Sequence, residues 1–116
     1  MEPKDEQKIY ALLGLTQRAG RVASGNFQVE EAIAKRKARL VIVSKDAGEN
    51  TKDLFRRKCE AQHLPLRFFG EKDSLGHAIG KELRSCTAIT DAGFAGSLVK
   101  LIDNAERGQN GENENQ

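Results

Sequence analysis

Apolar residues along this chain switch between two spacings, and each switch marks a change of element. Ile9, Leu12, Leu13 and Thr16 recur at i, i+3, i+4 and i+7, which predicts a helix over 5–18 that Gly20 stops. Arg21 to Ala23 reads as a short strand. Ser24-Gly25-Asn26 reads as a turn that caps a second helix, which carries Val29, Ala32 and Ile33 on one face and runs to Arg36. The unbroken run from Leu40 to Ser44 predicts a strand buried on both sides. Asn50 or Thr51 caps a third helix with Leu54, Phe55 and Cys59 inward; Pro65 follows it, then the strand Leu66 to Phe69. Asp73 or Ser74 opens a short helix through Ile79, which Gly80 ends. Thr87 to Thr90 is the last strand, and Asp91 opens a helix with Phe94, Leu98, Leu101, Ile102 and Ala105 at helical spacing.

The order is therefore α-β-α-β-α-β-α-β-α. Alternation of this kind predicts a mainly parallel sheet covered by helices on both faces. The expected fold is a three-layer α/β/α sandwich around a central four-stranded mixed sheet, with the short first strand pairing antiparallel at an edge. A chain of 116 residues is one domain's worth. The folded body is expected over 5–105. Residues 106–116, which end in GQNGENENQ, are polar and lack apolar anchors, so they are expected to be a disordered tail; the first four residues are expected to fray.

Charge adds an asymmetry that the net value of +2 conceals. Residues 1–102 carry 18 Lys/Arg against 13 Asp/Glu, whereas the remainder carries four acidic residues against Arg107. A basic body with a small acidic tail suits an anionic partner, nucleic acid first, although an ordinary charged surface gives the same balance. The longest aliphatic run is Leu40 to Val43, far short of a membrane span, and MEPKDEQK has no signal-peptide apolar stretch. Two cysteines cannot build a disulfide framework, so a reducing cytoplasm is the expected setting.

Enzyme motifs are lacking: the chain has no P-loop, G-x-G-x-x-G, G-x-S-x-G or H-E-x-x-H. Neither His63 nor His77 stands in a recognisable catalytic spacing. No cofactor and no small-molecule substrate are expected. Cys59, His63, His77 and Cys86 are side chains of the types that bind zinc, but their spacing fits no common zinc module. Core thiols and surface imidazoles account for them. Five Phe, one Tyr and no Trp leave Phe68-Phe69 as the only aromatic pair, too little for a base-stacking sheet. Two basic clusters stand out, Lys35-Arg36-Lys37-Ala38-Arg39 and Arg56-Arg57-Lys58; compensation of a helix dipole explains Lys35 to Lys37 equally well.

The turn Ala23-Ser24-Gly25-Asn26-Phe27-Gln28 carries the most local information. Gly25 removes side-chain bulk where a helix begins, which leaves its first N–H groups open to an anion. Asn26 and Gln28 both donate and accept hydrogen bonds, as base edges require. The same residues also suffice simply to turn the chain and cap the helix.

The run SGNFQVEEAIAKRKARLVIVSKDAGENTKD, followed by LGHAIGKELRSCTAITDAGFAGSLVKLI, resembles the kink-turn-binding ribosomal-protein superfamily (L-seven-Ae and L-thirty-e types). The leading KIYALLGLTQRAGRVASG looks most like its bacterial YlxQ branch. The similarity covers Lys8 to Ile102, and LVIVSKDA together with LGHAIGK makes it specific. The resemblance implies the same sandwich and a non-catalytic, RNA-binding role. It implies that the start of the second helix, here Gly25, Asn26, Phe27 and Gln28, meets sheared G·A pairs at a kink in structured RNA. It implies that Glu82, Leu83, Arg84 and Ser85, in the loop before the last strand, cover a flipped-out base. Leu83 would give apolar contact, and Arg84 or Lys81 would meet phosphates.

One part of the motif departs from that superfamily. Its helix usually carries Asn-Glu or Lys-Gln followed three residues later by Lys; here those positions read Phe27-Gln28 and Glu31. Gln28 keeps an amide, Phe27 loses a polar contact, and Glu31 puts a carboxylate where a lysine ordinarily faces RNA. Lys35, one turn on, and Lys45, in the following loop, are the compensating cations. The expected partner is structured RNA, ribosomal RNA or the ribosome included, with no membrane. A protein-interaction adapter on the same fold is the alternative, motivated by Glu30-Glu31 and the acidic tail.

Overall fold

The computed structural model describes residues 2–114 and orders them as α1 (Pro3–Arg18), β1 (Val22–Ser24), α2 (Asn26–Ala34), β2 (Leu40–Val43), α3 (Glu49–Ala61), β3 (Leu66–Phe68), α4 (Lys72–Ala78), β4 (Cys86–Ile89) and α5 (Ala92–Glu114). All nine expected elements form. The sheet order is β1-β4-β2-β3, with β2 and β3 parallel and β4 antiparallel to both of its neighbours. β1 lies at an edge and antiparallel, as expected, but the sheet is not mainly parallel. The reason is the length of α4. A parallel return needs a helix that spans the sheet, and seven residues cover only about 10 Å. β4 therefore starts at the end where β3 finished, and runs back.

Alternation along the strands sorts the core into two halves. Leu40, Ile42, Phe69 and Ile89 face α1, α4 and α5, where they meet Ile9, Leu13, Leu75, Leu98 and Ile102. Val41, Val43, Cys86 and Ala88 face α2 and α3, where they meet Val29, Ile33, Phe55 and Cys59. The arrangement is the three-layer α/β/α sandwich, and all four residues of β2 and of β4 are buried. Leu12, Leu54, Phe94 and Leu101, expected inward, are only partly buried at the rims.

Three details differ from the reading of the chain. α3 starts after Gly48 and α4 after Glu71, each a few residues before the polar side chains expected to cap them, and neither has a side-chain cap hydrogen bond. α1 begins at Pro3, where the fixed φ of proline suits a first helical position. α5 runs on to Glu114, through most of the segment expected as a tail. No proline interrupts that stretch, and each further residue extends a nucleated helix by one hydrogen bond. Residues 115 and 116 of that segment lie outside the described residues.

Candidate nucleic-acid interface

β1 and β2 rise to one end of the sheet, and β4 descends from it. This places the start of α2, the loop after β2 and the loop before β4 side by side. The Gly25 N–H donates to the Cys86 carbonyl at 3.1 Å, and the Ser44 N–H to the Ser85 carbonyl at 2.9 Å. The Lys45 N–H donates to Gly70 at 2.8 Å, and the Arg84 N–H to Lys72 at 3.0 Å. Asp46 Oδ1 accepts from the Lys72 N–H at 3.0 Å. Four connecting segments, the one between β3 and α4 included, are thus laced into one surface, almost wholly by their backbones.

Two side-chain contacts complete the lacing. Arg84 Nε donates to Ser24 Oγ at 3.1 Å, while its Nη1 donates to the Leu83 carbonyl at 2.9 Å. The Cys86 thiol donates to Asn26 Oδ1 at 3.2 Å. Burial pushes the Cys86 thiol up to about 12, so it is protonated and a donor at neutral pH. With Oδ1 engaged, the NH2 of the exposed Asn26 is left as a donor.

Gly25 is required by conformation: its φ is +90°, which other residues rarely adopt, while its surroundings are open. As the residue before α2 it offers no side-chain cap, and the N–H groups of Asn26, Phe27 and Gln28 have no acceptor among the described residues. Gly76 is required by space. A Cβ there would lie 1.3 Å from the Glu82 carbonyl oxygen, so the 81–85 loop rests directly on the backbone of α4. The Lys81 N–H donates to the Gly76 carbonyl at 2.8 Å and closes that contact.

Of the residues singled out in the chain, Gly25, Asn26, Phe27, Gln28, Lys45, Lys81, Glu82, Leu83, Arg84 and Ser85 all lie at this end of the sheet. Phe27 is 77% exposed and Leu83 60%, large apolar side chains left uncovered here. Glu31 stands one turn along α2, and its carboxylate is 3.6 Å from Lys35 Nζ. Lys35 follows the last residue of α2, at the opposite end of the helix, and is not part of the cluster. Glu30 pairs with Lys58 of α3 at 3.7 Å. Both acidic residues of α2 are therefore answered by lysines. Ser24, Cys86 and Lys72 belong to the framework and were not among the residues expected to contact RNA. The antiparallel pairing of β1 with β4 brings Ser24 and Asn26 within reach of Arg84 and Cys86, and local sequence carries no signal for it.

The four zinc-type side chains do not converge. Cys59 and Cys86 are both buried in the α2/α3 half of the core, whereas His63 and His77 are exposed. Burial raises the Cys59 thiol to about 11. Among the described residues, no group of three or more His, Cys, Asp or Glu is arranged to hold a metal, and no helix is long and apolar enough to cross a membrane.

Residues 7–99 match the model of the ribosomal protein L7Ae/L30e/S12e/Gadd45 family. The chain is 39% identical over 94 residues to the RNA-binding protein YlxQ of Bacillus subtilis (strain 168), which covers 81% of this chain and 94% of that one. It superimposes with a TM-score of 0.81 on the structure of a protein with unknown function from Bacillus halodurans C, at 41% identity, over 83% of this chain and 97% of that one. A Giardia lamblia 15.5kD RNA binding protein shares the fold at 18% identity, with a TM-score of 0.72 and 91% of each chain covered.

Proposed function

Since the chain belongs to the ribosomal protein L7Ae/L30e/S12e/Gadd45 family, we propose that it is a non-catalytic RNA-binding protein of the cytoplasm. Its ligand is kinked, structured RNA, of ribosomal or regulatory origin, held by the start of α2 and the 81–85 loop. The observation that carries this reading is the pair of contacts between those two segments, Arg84 to Ser24 and Cys86 to Asn26. They hold a row of free N–H groups and amides beside an exposed leucine and an arginine. A kink opens the groove, so a helix start can reach base edges that A-form RNA otherwise hides. Asn26 and Gln28 address those edges, Leu83 packs on a splayed base, and Arg84, Lys45 and Lys81 supply charge to phosphates.

The Glu31–Lys35 and Glu30–Lys58 pairs support this reading over the adapter. Their carboxylates face lysines of the same chain instead of standing free for a basic protein partner. The test is a titration against a kink-turn RNA and a straight duplex of equal length, at two salt concentrations. Preference for the kink is the expected result. Equal and steeply salt-dependent binding to both would reduce the function to phosphate attraction. Absence of binding to either would favour the protein adapter, for which Phe27 and Leu83 are ready apolar contacts.

A further inference from the structure

A cluster of exposed positive charge lies at the other end of α2. The turn after that helix carries Lys35, Arg36, Lys37 and Arg39, all exposed, around the buried Ala38. Among the described residues, Arg36, Lys37 and Arg39 have no carboxylate within ion-pair distance. Arg21, also exposed, joins them. The Thr90 N–H donates to the Arg21 carbonyl at 2.9 Å, and the Arg39 N–H to Ile89 at 2.7 Å, which sets the two arginines on either side of the end of β4. The neighbouring carboxylates are Glu31, held by Lys35, and Asp91, which caps α5 by accepting from the Phe94 N–H at 2.9 Å.

The turn is rigid. Arg36 sits at φ +58° and donates its N–H to Ile33 at 3.0 Å; the Lys37 N–H donates to Ala32 at 2.9 Å. Gln62 Nε2, from the end of α3, donates to the Ile33 carbonyl at 2.9 Å. A helix dipole amounts to about half a charge and needs no more than one of these cations. A groove of about 250 Å³ follows the flank of α2 against the sheet edge, floored by Ala23, Ala32 and Thr90, with Phe27 and Gln28 at one end, Lys35 and Lys37 at the other, and Glu31 between. α2 is about 14 Å long, a span that an RNA backbone covers in a few nucleotides.

We propose that the 35–39 turn is a second contact surface, one that takes the phosphate backbone of an RNA stem irrespective of its sequence, with the groove along α2 connecting it to the helix start. The inference rests on the RNA reading above and extends it: base edges are read at one end of α2, and charge is met at the other. It also explains how the chain tolerates Glu31 at the helix start, since the missing cation is replaced farther along the same stem.

The test is the Lys37→Gln/Arg39→Gln double variant, both positions being exposed and their backbone bonds retained. Fluorescence anisotropy would follow its binding to a kink-turn RNA with a long stem, to the same kink with that stem cut short, and to a straight duplex, over a salt series. The expected result is a slope of log affinity on log salt lower by about 2 for the long-stem and straight RNAs, and roughly tenfold weaker binding at low salt. The short-stem RNA should lose little. An unchanged slope on the long-stem RNA, with kink preference intact, overturns this proposal and leaves the helix-start reading standing. Equal binding of kinked and straight RNA, with the slope still reduced in the variant, does the reverse. Failure of the unmodified protein to bind any of the three overturns both.

Discussion

Arg84 reaches back across sixty residues of sequence to donate its Nε to Ser24 Oγ at 3.1 Å, which fixes the loop before β4 against the start of α2. The guanidinium is half-buried and makes a second bond to the Leu83 carbonyl, so its orientation is set before any ligand arrives. Removing the pin and removing the charge are separable. Ser24→Ala should weaken kink-RNA binding by a few-fold, the worth of one net hydrogen bond of about 1 kcal/mol, with an unchanged salt slope. Arg84→Ala should weaken it more and lower the slope by about 1. Equal slopes for the two variants would mean that Arg84 acts only through the loop.

Glu31, with Phe27, is where the helix start differs from the motif expected from the resemblance. Glu31→Lys should raise affinity for kink RNA several-fold at low salt and steepen the salt dependence by about 1. The substitution breaks the Glu31–Lys35 pair, but both side chains are about half exposed, so folding should lose no more than about 0.5 kcal/mol. Binding isotherms and a urea titration on the same preparations check the two halves of this expectation. Lower RNA affinity in the variant would place the RNA away from the outer face of α2.

The fold was legible in the sequence because its signals are local. The run Leu40 to Val43 specifies a doubly buried strand, and Ile9, Leu13 and Thr16 specify the inner face of α1. The direction of β4 was not, since βα alternation implies a parallel return and only the shortness of α4 prevents it. Polar residues misled at two helix starts: Asn50 and Ser74 look like caps, yet the chain is already helical there. At the candidate site the turn around Gly25 was visible as chemistry. The bonds that tie Ser24 to Arg84 and Asn26 to Cys86 were not, since strand pairing brings these residues together from distant parts of the chain. Lys35 stands one turn past Glu31 and pairs with it, but as the residue that follows α2 it lies at the opposite end of that helix from Gly25.

Gly76 offers a test of how tightly the 81–85 loop is seated. Gly76→Ala would set a methyl group 1.3 Å from the Glu82 carbonyl oxygen, and neither backbone can yield cheaply. Overpacking of this kind costs roughly 1–3 kcal/mol or more, so the thermal midpoint should fall by several degrees and RNA binding should weaken with it. Gly96→Ala is the control. That glycine lies in α5 with open space where the Cβ would go, and the gain in helix propensity should leave the midpoint level or higher. A Gly76→Ala midpoint equal to that of the unmodified protein would show that the loop moves freely.

Arg67 and Asp103 join β3 to α5 through a two-pronged contact, Nε to Oδ1 at 2.8 Å and Nη2 to Oδ2 at 3.0 Å. Those hydrogen bonds hold the Asp103 carboxyl below the usual carboxylate range, against a smaller opposing effect of burial. As pH falls, the unfolded chain takes up a proton here first, near the ordinary value of about 3.9. The stability contributed by the pair is therefore complete above that pH and disappears as the pH drops through the lower folded value, Arg67 staying charged throughout. Both side chains are about a third exposed, so screening limits the contribution to about 1 kcal/mol. Urea titrations of Asp103→Asn and the unmodified protein should differ by that amount at neutral pH and converge toward pH 2. A difference that persists in acid would show that the contact stabilises the fold by packing, not by charge.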